Sequence, residues 1–210
     1  LPSRDRPTVL FVGRLDPEKH IDVLLRAVAS IADRSDVGVE IVGQGGEYDR
    51  LAELAQQLGI ADRTVFRGFV SDEALRVAYL RADAFCQPGT AELQSLVSLE
   101  AMAASSPVLL ADARALPHLV DEGVNGWLFP PGDHEQLGRL LLRLLELPED
   151  QRREMGAASR RMVAEHSFSA TIDVFEQLYR GVDPDLLLGS WPQTGPLPIV
   201  PPASGPGAGD

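Results

Sequence analysis

Lysine is almost missing from this chain: of 19 basic residues, all but Lys19 are arginine. Against 31 acidic side chains they leave a net charge of −12. A surface of that sign repels phosphate backbones and anionic headgroups, so nucleic acid is excluded as an expected partner and membrane docking is not expected. Cysteine is as scarce. The single Cys86 cannot close an internal disulfide, which fits a reducing compartment and makes a cytoplasmic location the expectation. No apolar run reaches the about eighteen residues that a spanning helix needs, and Leu1-Pro2-Ser3-Arg4-Asp5 lacks the pattern of a signal peptide. The four histidines, His20, His118, His134 and His166, form no i,i+4 pair and have no cysteine cluster beside them. No metal site is therefore expected. No Gly-x-Ser-x-Gly surrounds a serine nucleophile either. What is present is 210 residues at 44% apolar and 24% charged, enough for one good core.

The apolar pattern alternates between two periods. Thr8-Val9-Leu10-Phe11-Val12-Gly13 is a short continuous run closed by glycine, as expected of a strand buried on both faces of a parallel sheet. Ile21, Leu24, Leu25, Val28 and Ile31 then recur at the spacing of one helical face. The strand signature returns at 37–43, and Leu51, Leu54, Ala55 and Leu58 give a second helix, stopped by Gly59. The alternation continues through a strand at 64–66, a helix opened by Ser71, a strand at 83–87, a helix from about Ser95, and a strand at 107–111. A last short strand is expected at 126–129. Asp133 then caps a helix carrying Leu137, Leu140, Leu141, Leu144 and Leu145, and two further helical segments span 148–166 and 167–180. Strands separated by helices of this length imply right-handed crossovers and a doubly wound α/β fold with a parallel sheet.

Beyond Gly181 the composition changes. Seven of the 16 prolines fall there, with Trp191 among them. Such a segment cannot offset its ordering entropy by burial, so the chain is expected to divide into one α/β domain, residues 1–181, and a mostly disordered tail, residues 182–210.

In an open doubly wound sheet, ligands bind at the carboxyl ends of the strands, in the loops that open the helices. The first such loop, Gly13-Arg14-Leu15-Asp16-Pro17-Glu18-Lys19, lacks both the GxGxxG spacing and the GKS/GKT ending of known phosphate loops. It offers instead a guanidinium and an ammonium after a glycine, where the backbone can approach a ligand. Two cations beside a helix start compete with its dipole unless an anion sits between them, which reads as a phosphate clamp. The plainer reading pairs Arg14 and Lys19 with Asp16 and Glu18 on their own loop. The second loop runs from Pro88 to Ser95. Amides around 94–97 would open a helix there and bind an anion. Glu100, five residues along, would lie roughly 7–8 Å deeper, about the distance from a diphosphate to the ribose hydroxyls of the same nucleotide, and a carboxylate grips two hydroxyls at once. Glu92, just outside the helix, would face whatever hangs from the other end of the diphosphate. Each glutamate alone reads as an ordinary solvated carboxylate; their spacing singles out the pair.

Val12-Gly13-Arg14-Leu15, Glu18-Lys19, Glu92 and Glu100 followed by Ala101-Met102-Ala103, and Asn125-Gly126 before Phe129-Pro130-Pro131-Gly132-Asp133 together resemble the C-terminal half of a family 4 retaining glycosyltransferase of the GT-B type. The resemblance covers roughly residues 8–180. It implies a Rossmann-like nucleotide-sugar-binding domain, one half of a GT-B fold, with a nucleoside-diphosphate sugar as substrate and no further cofactor. By position, Gly13, Arg14 and Lys19 would hold the donor diphosphate, Glu100 the ribose hydroxyls and Glu92 the donor hexose. Leu93, Gln94, Ser95 and Leu96 would line the donor at the helix entrance, and Phe69 and Val70 would border the base, Phe69 having plain core as its other reading. Arg14, Lys19 and Glu92 are the expected catalytic set. Two departures stand out: Leu93-Gln94-Ser95 replaces the usual Gly-Phe-Gly, trading backbone freedom for side-chain donors, and the N-terminal acceptor-binding Rossmann domain of the family is expected to be missing from this chain, which alone would then be inactive. The alternative on the same fold is a nucleotide- or nucleotide-sugar-binding module without catalysis.

Overall fold

In the computed structural model of the chain, the described residues are 6–164 together with Tyr179 and Arg180. The expected domain boundary at 181, the helix expected at 167–180 apart from its last two residues, Trp191 and the expected tail all lie outside them. Six strands form one parallel sheet: β1 (Thr8–Val12), β2 (Gly38–Val42), β3 (Thr64–Gly68), β4 (Ala84–Gln87), β5 (Val108–Ala111) and β6 (Gly126–Phe129). Their order is β3-β2-β1-β4-β5-β6. The chain winds outward from β1 to one edge, returns to β4 beside β1, and winds outward again, so the doubly wound expectation is met.

Burial follows from that order. β4 and β5 are buried at every residue and β1 at all but its first, which is why they read as unbroken apolar runs rather than alternating ones. β3 at the edge alternates between half-buried and exposed side chains. The helices are α1 (Ile21–Ser30), α2 (Tyr48–Gln57), α3 (Asp72–Arg81), α4 (Leu96–Ala103), α5 (His134–Glu146) and α6 (Glu149–Ala164). α1 packs on α2 and α5, and α4 packs on α3 and α6, two layers that sandwich the sheet. The leucine stripe of α5 places Leu137, Leu140, Leu141 and Leu144 in the core. Gly138 lets α5 lie close to α1, since a Cβ there would come within 2.5 Å of Ser30 Oγ. Two expected caps form: Ser71 Oγ accepts from Ala74 N at 3.3 Å and Asp133 Oδ1 from Gln136 N at 2.8 Å, each satisfying an amide the first helical turn leaves unpaired. Asn125, fully buried before β6, accepts from Asp121 N and donates to Leu119 O, and so shapes a turn. No helix among the described residues is long and apolar enough to cross a membrane.

Candidate functional site

The order in which the strands are added reverses between β1 and β4, although all of them run parallel. At such a switch point the following loops diverge to opposite layers and leave a crevice at the strands' carboxyl ends. The loop after β1 is first fastened to the loop after β2: Gly13 N donates to Val42 O at 3.0 Å and Leu15 N to Gln44 O at 2.9 Å. Gly43 makes this approach possible. Its φ is +141°, and a Cβ would lie 1.8 Å from Gly13 O, inside any permitted contact. Beyond the buried Leu15, a 3₁₀ turn at Pro17–Lys19 leads into His20 and α1.

From that turn Lys19 reaches across the crevice. Its Nζ lies 2.5 Å from Glu92 Oε1, with the two side chains only 19% and 12% exposed. A second contact runs beside it, His20 Nε2 to Thr90 Oγ1 at 3.1 Å, and Thr90 N donates to Glu18 O at 3.4 Å. The loop after β4 is thus joined to the loop after β1 at three points. Glu92 O also accepts from Ala115 N at 3.3 Å, which ties the same loop to the segment after β5.

Arg14 does not cross. Its guanidinium pairs with Asp16 at 2.9 Å and Glu18 at 3.3 Å on its own loop, and its side chain is 73% exposed. The structure brings Lys19 and Glu92 together and leaves Arg14 at the rim.

α4 begins at Leu96 with Ser95 as its cap residue. Ser95 is buried and its Oγ lies 2.7 Å from Ser98 Oγ, so the hydroxyl expected to replace the glycine loop as a donor is engaged within the helix instead. Gln94 is exposed, as are Leu93 at 85% and Leu96 at 60%. Phe69, which core packing would have buried, is 84% exposed after β3, whereas Val70 packs half-buried against the core. Glu100 projects from the second turn of α4 and is itself exposed. Its Oε2 accepts a hydrogen bond from Tyr79 OH at 2.8 Å. Burial, and then the Glu100 carboxylate, push the Tyr79 phenol well above its ordinary value, so at neutral pH it stays protonated and donates. Both residues line a cavity of about 680 Å³ with Leu75, Arg76, Leu80 and Arg160.

His20, Thr90 and Tyr79 escape sequence reasoning because each acts through a partner 21 to 70 residues away. Gln87 escapes it too: at the carboxyl end of β4 it is buried, its Oε1 accepts from Gly89 N, and its Nε2 has no partner among the described residues. Cys86 is buried inside β4, and burial pushes its thiol up.

A six-stranded parallel sheet wound in this order, with helices on both of its faces, defines a Rossmann-like α/β domain. The chain matches the family described as glycosyl transferases group 1 over residues 1–162, and it belongs to that family. It is 34% identical over 182 residues to the D-inositol 3-phosphate glycosyltransferase of Mycolicibacterium smegmatis, across 83% of this chain and 40% of that protein. Its fold is similar to sucrose-phosphate synthase from Thermosynechococcus elongatus, with a TM-score of 0.75 and 32% identity over 84% of this chain and 45% of that one. It is also similar to Anabaena Alr3699/HepE in complex with UDP, with a TM-score of 0.74 and 26% identity over 84% and 49% of the two chains. The chain therefore spans less than half the length of each of these proteins, and its sheet has the architecture of GT-B glycosyltransferases.

Proposed function

We propose that this chain is the donor-binding half of a retaining glycosyltransferase that transfers a hexose from a nucleoside-diphosphate sugar to an acceptor hydroxyl. The observation that carries this reading is the Lys19–Glu92 pair at the β1–β4 switch point. It holds an ammonium and a carboxylate where an α/β sheet of this kind takes its ligand, ready to separate onto a diphosphate and a sugar hydroxyl. The UDP complex of a structural neighbour supports the donor class.

Negative charge builds on the diphosphate as the anomeric bond breaks. A fixed cation in a shielded crevice lowers the barrier because it stabilises that charge most when it is greatest. Lys19 supplies this from inside the crevice. Arg14 joins it by exchanging its exposed partners Asp16 and Glu18 for the phosphate, and the opening amides of α4 contribute the positive end of the helix dipole. Glu92, released from Lys19, accepts hydroxyls of the hexose, while Glu100, steadied by Tyr79, accepts those of the ribose. With this much positive charge supplied by the chain, the proposal includes no metal ion and no cofactor beyond the donor. Retention is proposed with the leaving phosphate assisting removal of the acceptor proton, so this half supplies no general base. An acceptor-binding Rossmann domain closes the crevice against water, and without it the chain binds donor and transfers no sugar. A cytoplasmic site for the reaction is part of the proposal, supported by a sequence whose single cysteine cannot close an internal disulfide.

The test is a thermal-shift panel of UDP-, GDP-, ADP- and TDP-sugars on this chain, where a binder stabilises by mass action. At least one donor class raises the midpoint; no shift with any of them overturns the reading. In the active enzyme, Lys19→Ala lowers turnover by roughly 10²–10³, the cost of removing one preorganised group from a developing anion. Unchanged turnover would remove Lys19 from the mechanism.

A further inference from the structure

His20 is the pivot between the 3₁₀ turn that ends at Lys19 and the first turn of α1, and its backbone is left-handed, φ 49° and ψ 38°. That conformation is costly for any residue with a Cβ, whereas glycine adopts it readily. The backbone bonds of the pivot do not need a side chain. His20 N donates to Pro17 O and His20 O accepts from Val23 N, and glycine would make both. What the imidazole adds is reach. Its Nε2 comes within hydrogen-bond distance of Thr90 Oγ1, 70 residues away across the switch-point crevice. Strain of this kind persists where the surroundings over-determine it and concentrates where a group must be held in place.

We propose that His20 is a positioning residue: by tethering the Lys19 turn to the loop after β4 through Thr90 Oγ1, it fixes the Lys19 ammonium in the crevice before the donor arrives. This rests on the reading of the crevice as the diphosphate-sugar site. Lysine is a point charge on a flexible stem, and the ion pair with Glu92 that holds it in the crevice is given up when a donor enters. The His20–Thr90 contact touches neither charge, so it survives donor entry and keeps the turn from drifting. Electrostatic stabilisation of a transition state depends on such prior orientation.

The experiment is a set of variants of the active enzyme, read by turnover and by KM for donor and acceptor. His20→Gly keeps the backbone conformation and deletes the tether; Thr90→Val deletes it from the other side; Thr90→Ser restores the hydroxyl. His20→Gly and Thr90→Val each lower kcat about tenfold, the scale of one lost hydrogen bond, with KM for the acceptor unchanged. The double variant is no worse than either single one, and Thr90→Ser recovers most of the loss. In a Lys19→Ala background neither change costs anything further, because the tether acts through Lys19. If Lys19→Ala cripples turnover while His20→Gly and Thr90→Val leave it intact, or if their losses persist in full without Lys19, the tether is overturned and the donor site stands. If Lys19→Ala itself leaves turnover intact, Lys19 leaves the mechanism and the tether, which acts through it, is overturned, while the donor-site reading stands or falls on the thermal-shift panel.

Discussion

Lys19 and Arg14 leave the same loop and end in different surroundings. Arg14 keeps two carboxylate partners in open water, a contact worth little and easily exchanged. Lys19 turns inward to Glu92, where both side chains are largely shielded from solvent. Glu100 is set differently again, its carboxylate steadied by the buried Tyr79 phenol. In the proposed site Glu100→Ala weakens nucleotide binding, measured by titration calorimetry on this chain; equal affinity in the variant and the unaltered chain would refute the ribose assignment. Tyr79 also sets a pH dependence. Burial first, and then the Glu100 carboxylate, hold its phenol above the ordinary value, so the folded state keeps this proton after the unfolded chain would release it. Its contribution to stability is therefore full below about pH 10, the unfolded value, and is lost as the pH rises beyond that. In an alkaline spectrophotometric titration Tyr79 ionises only as the fold opens. Tyr79→Phe removes that part of the alkaline slope.

Among the elements, those with a period were legible. β1, β4 and β5 read as continuous apolar runs because helix layers cover both faces of the sheet there, and α1 and α5 read from the spacing of their core residues. The helix starts at Ser71 and Asp133 were visible because capping is local chemistry. The 3₁₀ turns at Pro17–Lys19, Ala61–Arg63 and Leu116–Leu119 were not; three or four residues make a single turn, too short to show a period. Nor was the engagement of Ser95 with Ser98, since a serine at a helix entrance reads as a cap or a donor until its rotamer is known. The Lys19–Glu92 pair lay beyond reach for a stronger reason: it depends on β4 adding to β1 with Val9 opposite Ala84, a register no local pattern encodes. The closest approach in this region yields its own prediction. Gly43→Ala sets a Cβ against Gly13 O in a backbone region that disfavours side chains, and it destabilises the chain by about 2–3 kcal/mol. Urea denaturation measures the loss; a midpoint equal to that of the unaltered chain would contradict the packing of the two loops.

For the molecule as a whole, strand order matters more than any single contact. An order of β3-β2-β1-β4-β5-β6 buries β4 deep in the sheet, and with it Cys86, whose thiol burial keeps protonated. In the native chain at neutral pH this thiol resists an aromatic disulfide reagent, and it is labelled only after denaturant opens the fold. Prompt labelling without denaturant would show that β4 is not interior. The same order decides when a ligand could first be recognised during folding. Lys19 and Glu92 stand 73 residues apart along the chain and meet only after the second winding has begun, so a partly folded chain with β1, β2 and β3 alone offers half a handhold. If the proposed donor site holds, a nucleotide sugar would act as a proofreader of assembly, gripping finished domains, passing over incomplete ones and drawing the population toward the complete sheet.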